Sequence, residues 1–193
     1  MAKNEIQESR MKNYFITAAK EMIRGEGIKT LSVRTIAARA GYSYATLYNH
    51  FKDLSELMHH CISDFADECV QFVDSLNLEG KSAKERIEAR TKAFINYFVQ
   101  YPSTFELIFT ERINFKASVV KGNEIISQLL DKCFGADWDA LGKESKNASE
   151  TETKKEMHKH FLLSSLSLYL LRSTPGTYKE LNEQSAKMLK KLL

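Results

Sequence analysis

The chain is short of the residues that interrupt or staple a fold. Two prolines, Pro102 and Pro175, and eight glycines in 193 residues fall mostly between apolar-periodic stretches rather than inside them, so helices are expected throughout. Three cysteines, Cys61, Cys69 and Cys133, are odd in number, lack the close pairing of a disulfide or zinc framework and follow no signal sequence. They are expected as reduced thiols in a cytoplasm. No apolar run approaches the ~20 residues that span a bilayer, so a soluble chain with no membrane partner is expected. The length suffices to bury a core without such staples.

Net charge is small, at +3, but it is unevenly spread. Residues 1 to 52 carry nine basic side chains (Lys3, Arg10, Lys12, Lys20, Arg24, Lys29, Arg34, Arg39, Lys52) against four acids (Glu5, Glu8, Glu21, Glu26). The first quarter is therefore +5 and the remainder −2. A basic end on a slightly acidic body points to a polyanionic partner for the first segment alone.

Hydrophobic periodicity divides the chain into about nine helices. Met11, Tyr14, Phe15, Ala18, Ala19, Met22 and Ile23 form one stripe over residues 6 to 24, closed by Gly25 and Gly27. Ser32 can cap a helix of about 33 to 39, and another runs from about 43 to 49. A long fourth helix holds Leu54, Leu57, Met58, Cys61, Ile62, Phe65, Cys69, Phe72, Val73 and Leu76 on one face. Ser82 caps a fifth that stops at Tyr101-Pro102, and a short sixth spans Ser103 to Thr110. A seventh covers about 116 to 133 and contains Gly122. Residues 135 to 153 are polar without period and predict a loop, its start pinned by Trp138. The eighth, about 154 to 172, is apolar nearly all round in its second half, and the ninth follows Pro175-Gly176. The fold class is all-α: a three-helix N-terminal domain at 1–53 and a helical bundle at 54–193.

The stretch 30 to 57 carries the chemistry. Val33, Ile36, Ala37 and Ala40 make one side of the second helix, Gly41 supplies the left-handed backbone of a sharp turn, and Leu47 and Phe51 point the third helix back at the first two. Its other side presents Ser43, Tyr44, Thr46, Tyr48, Asn49 and His50. This is the division of labour in a helix-turn-helix, where one helix crosses the DNA backbone and the next enters the major groove. Tyrosine and asparagine can reach phosphates or base edges, the Thr46 methyl can meet thymine, and Arg34 can bind guanine bidentately. Tyr42, directly after the turn, is expected to be partly buried.

Gly27-Ile28, Leu31-Ser32-Val33-Arg34, Ile36-Ala37, Ala40-Gly41, Ser43, Thr46-Leu47-Tyr48, His50-Phe51 and Leu57 together resemble the DNA-binding domain of the tetracycline-repressor (TetR) family. The resemblance covers about the first 60 residues and implies a homodimeric repressor of a palindromic operator, released by a small molecule in the C-terminal domain. It assigns DNA contacts to Arg34, Tyr44, Ala45, Thr46, Tyr48, Asn49, His50 and Lys52, and Ser43 on the same face is a further candidate contact. Two departures stand out. Tyr42 and Tyr44 replace a valine and a small or polar residue, and Leu54 stands where most members keep a phosphate-pinning lysine.

In the C-terminal domain Phe65, Cys69, Phe72, Phe94, Tyr97, Phe98, Tyr101, Phe105, Phe109 and Tyr169 are candidates to line an effector pocket, with core packing as the competing role for most of them. They favour an apolar or aromatic effector, and Glu106, Arg90 or Arg112 could select charge. Leu162, Leu166 and Leu170 with Tyr178, Leu181, Ser185, Met188 and Leu192 suggest a four-helix dimer interface; burial in a monomer core is the alternative. Other chemistry is excluded. Gly25-Glu26-Gly27 lacks a third glycine, and Gly80-Lys81-Ser82 lacks the upstream glycine of a phosphate loop. His59, His60 and Cys61, and His158 with His160, diverge around their helices and close on no metal. Cys61 and Cys69 read as inert core. No cofactor and no enzymatic activity are expected. A helical adaptor with a basic end, or a DNA-binding regulator without an effector, would share much of this pattern.

Overall fold

A computed structural model describes residues 2–110, 119–145, 147–171 and 176–193. Among the described residues there are nine α-helices and no strand. They are α1 Ala2–Glu26, α2 Val33–Arg39, α3 Tyr44–Tyr48, α4 Leu54–Asp74, α5 Ala83–Gln100, α6 Pro102–Phe105, α7 Val119–Glu144, α8 Ala148–Leu170 and α9 Tyr178–Leu192. A 3-10 turn, Ile28–Thr30, precedes α2, and α6 runs on as a π-helical turn over Glu106–Thr110. No described helix is long and apolar enough to cross a membrane.

Most helices start on a side chain that satisfies an otherwise orphaned backbone N–H. Ser32 and Thr35 make a reciprocal capping box at α2, Ser82 and Glu85 another at α5, and Thr177 and Glu180 a third at α9. Asp53 Oδ1 accepts from Glu56 N at 2.9 Å at the start of α4, and Glu56 Oε2 accepts from Lys52 N at 2.7 Å.

The chain forms two compact units. The first comprises Met1–Asp67 with Ser103–Ile125, the second Glu68–Pro102 with Ile126–Leu193. In the first, α1 packs on α2 and α2 on α3 around Phe15, Ile23, Ile36, Leu47 and Phe51, each at most 1% exposed. Removing such a side chain from water contributes about 1.5–3 kcal/mol. In the second, α5, α8 and α9 pack together around Ile87, Phe94, Phe98, Leu162 and Leu166.

Two expectations are corrected. Most of the loop expected at 135–153 is helical: residues 135–144 continue α7 and residues 148–153 open α8. Its start is an Asn147 cap, Oδ1 accepting from Glu150 N at 3.2 Å. Tyr14, counted in the buried stripe of α1, is 53% exposed, and Ile16 takes the inner position at 8%. Arg112 and the expected first turn of the seventh helix at 116–118 lie outside the described residues.

Candidate nucleic-acid interface

The site begins at the end of α2. Tyr42 N–H donates to Ala37 C=O at 2.9 Å and Gly41 N–H to Ala38 C=O at 3.1 Å, the paired bonds that end a helix through a left-handed residue. Gly41 has φ 81°, and a Cβ there would meet nothing within 4 Å. The demand for glycine is conformational rather than steric, at about 1–2 kcal/mol for another residue.

Ser43 then caps α3, its hydroxyl accepting from Thr46 N at 3.2 Å and lying 2.9 Å from Thr46 Oγ1. The first pair of expected contacts is thus bonded to itself, which orients the helix entry. Leu47 is fully buried and Phe51 nearly so, which fixes the opposite face outward. On that face Tyr44 and Tyr48 are 53% and 52% exposed, and Ser43, Ala45, Asn49 and Lys52 are exposed with them. The exposed Arg34 places its guanidinium 5.7 Å from the Tyr44 ring centroid, joining α2 to the same surface. His50 differs: it is half-buried, its ring lies 6.1 Å from Phe15, and its Nδ1 is buried without a hydrogen-bond partner. Tyr42 is partly covered, its ring 5.6 Å from Phe15 and 6.2 Å from Tyr14. Tyr14 was missed as a surface group because helical period alone assigned it to the core.

The proposed pocket residues are placed differently. Phe65, Phe105 and Phe109 belong to the first unit; Cys69, Phe72, Phe94, Tyr97, Phe98, Tyr101 and Tyr169 belong to the second. Phe65, Cys69, Phe94, Tyr97, Phe98 and Phe105 are buried, and the rings pack on one another, Phe94 on Phe98 at 4.9 Å, Tyr97 on Tyr101 at 5.2 Å and Phe105 on Phe109 at 4.8 Å. None of the ten lines the groove of about 550 Å³ that runs between α5 and α9, which is bounded by Ala89, Thr91, Ile95, Ser185, Ala186 and Leu189 with a lysine and glutamate rim. Arg90 is committed elsewhere, to Asp74 at 2.6 Å and Asp137 at 2.9 Å.

Of the expected dimer seam, Leu162, Leu166, Leu181 and Ser185 are buried by their own chain, whereas Met188 is 47% and Tyr178 38% exposed. Leu170 and Leu192 are half-buried. Leu168 and Leu171 add 49% and 53% exposed apolar surface on and just beyond α8. The alternating 3-4 spacing on α9 is thus divided, with Leu181 and Ser185 turned inward and Tyr178 and Met188 exposed.

Burial pushes the Cys61 thiol up to about 12, and burial together with a hydrogen bond to Cys133 raises Cys69 further still. Both are poor thiolates as they stand. Among the described residues no group of three or more His, Cys, Asp or Glu side chains is placed to hold a metal.

A family model described as bacterial regulatory proteins, tetR family, matches residues 15–61. The HTH-type transcriptional activator FasR of Mycolicibacterium smegmatis is 22% identical over 142 residues, covering 74% of this chain and 64% of that protein. The chain thus spans less than two thirds of the length of this curated relative. A TetR-family regulator from Rhodococcus sp. shares the fold with a TM-score of 0.72 at 14% identity, over 95% of this chain and 98% of that one. The multidrug binding protein EbrR, complexed with imidazole, does so at 0.68 and 17%, over 94% of each chain. The matched segment contains the Gly41 turn and the whole outward face of α3, and over residues 15–61 the chain carries the helix-turn-helix segment of bacterial regulatory proteins of the tetR family.

Proposed function

We propose that the chain is a homodimeric repressor that reads a palindromic duplex with α3 and is released by a small apolar or aromatic effector. The observation that carries the reading is the outward face of α3, where Tyr44, Tyr48 and Asn49 stand exposed on a helix locked from behind by Leu47 and Phe51. In it, residues 1–53 bind DNA and residues 54–193 dimerise and sense the ligand. Exposed Leu168, Leu171, Tyr178 and Met188 support a second copy as partner. The helical body shared with a multidrug binding protein supports a ligand site. Since α4 is one helix from Leu54 to Asp74, a ligand that shifts its end can change the spacing of the two α3 helices, which enter successive grooves about 34–36 Å apart. The ligand must bind the non-operator state more tightly, because it shifts the equilibrium only by that difference.

A second reading, activation in place of repression, is favoured by the name of the FasR relative. It uses the same interface and differs in where the operator lies.

The test is a salt titration on a duplex selected by the protein from a random pool. Arg34 and Lys52 of two subunits give an expected slope of log affinity against log salt of roughly −3 to −4. Tyr48→Ala should weaken that binding while leaving dimerisation intact. A protein that selects no duplex at low salt is an adaptor, and the reading fails.

A further inference from the structure

Two tyrosines, one of them the Tyr42 that departs from the family pattern, meet at one end of α3. Tyr14 on α1 is 53% exposed and Tyr42 in the turn is 38% exposed, with ring centroids 6.2 Å apart and planes inclined by 28°. Tyr42 also rests on Phe15 at 5.6 Å, so one face of the pair is anchored in the core while much of both rings stays in water. Tyr42 immediately precedes Ser43, the cap of α3, which places the stack at the helix end whose residues enter the groove when a helix-turn-helix docks. Tyr44 lies two residues on with Arg34 over its ring. The three helices of the small domain and its turn thus each contribute to one exposed edge.

Covering the core explains the inner face of Tyr42, but it does not explain Tyr14, which adds an exposed phenol beside an already exposed one. A phenol donates one hydrogen bond without carrying charge, and phosphate oxygens flanking a groove are its matching acceptors. Stacking holds both side chains in place before binding, which lowers the ordering cost when the contact forms.

We propose that the Tyr14–Tyr42 stack is a non-ionic phosphate clamp: the two hydroxyls donate to duplex phosphates beside the groove and set the depth and angle of α3. The clamp rests on the DNA-binding reading above. It takes over, without charge, some of the backbone anchoring that Leu54 cannot provide.

The experiment uses the full chain and a fluorescent duplex that the wild-type protein selects from a random-sequence pool. Affinity is measured across a salt series, and melting temperature in parallel, for Tyr14→Phe with Tyr42→Phe, and for Lys52→Ala as the ionic comparison. The double phenylalanine variant should bind ~10-fold more weakly, with the wild-type salt slope and an unchanged melting temperature. Lys52→Ala should flatten the slope by about two per dimer. Wild-type affinity in the double variant overturns the clamp, and so does a loss that comes with a lowered melting temperature, since the rings then act by packing alone. If Lys52→Ala responds and the tyrosines do not, only this inference fails. If the wild-type protein selects no duplex, the DNA-binding reading fails and the clamp with it.

Discussion

A histidine with no exposed surface must settle both ring nitrogens inside the protein, and His158 does so in one protonation state. Trp138 Nε1–H, a donor only, lies 3.3 Å from Nδ1, which therefore accepts. Nε2–H then donates to Thr91 Oγ1 at 2.9 Å, and the threonine passes its own proton to Ile87 C=O at 2.7 Å. A proton on Nδ1 would face another donor, and burial pushes the His158 pKa down from 6.5 to about 4. Between those values the unfolded chain binds a proton that the native chain refuses. The contribution to stability is complete above pH 6.5 and is lost as the pH falls toward 4, on the order of 3 kcal/mol. Urea unfolding of the wild type and His158→Gln across pH 4 to 7 checks this: the variant should lose less stability on acidification, and parallel curves would refute it. In the sequence His158 stood only beside His160, and Trp138 only at the start of an apparent loop. Thr91 is 67 residues away from its partner, a relation that no local pattern contains.

At the scale of elements, the loop that proved helical is the instructive case. Asp137 reads as polar punctuation, yet it is 6% exposed and held by Arg86 Nε at 2.5 Å and Arg90 Nε at 2.9 Å. It occupies a core position of α7 between Phe134 and Trp138, so a period counted on apolar residues alone breaks where the helix continues. The polar residues after Asn147 form the wet face of α8, with Glu150 and Lys154 paired at 3.0 Å one turn apart. Asp137→Ala leaves two arginines in a largely buried site and should cost about 3 kcal/mol, the lower end for breaking such a pair because both arginines keep some solvent. Thermal unfolding reads this as a clear drop in melting temperature. A shift within a degree would mean that the arginines find other partners. By contrast α2, α3 and their turn were largely legible, because Ser32, Gly41, Leu47 and Phe51 act through bonds and contacts only a few positions apart.

For the whole molecule, the proposed dimer turns on which surface would meet a second copy. Leu181, on the expected seam, is 6% exposed within its own chain, so charging it would disrupt the fold and report nothing about assembly. Met188 and Leu168 are about half exposed and free of that ambiguity. Leu168→Glu with Met188→Glu should leave the melting profile of the subunit in place, give a monomer mass in sedimentation, and weaken operator binding because two half-sites no longer act together. Dimers that persist would refute the seam.

The chain by itself determined that the protein is helical, where its helix-turn-helix lies and which face of α3 looks outward. Those features depend on caps, a left-handed glycine and a 3.6-residue period, all local. Only the tertiary structure decided that Tyr14 leaves the core to stack on Tyr42, that Asp137 and His158 are buried and satisfied, and that the aromatic residues of the body pack on one another. These outcomes depend on which distant surfaces come into contact, and burial, the property that separates a core ring from an exposed one, exists only after that contact is made.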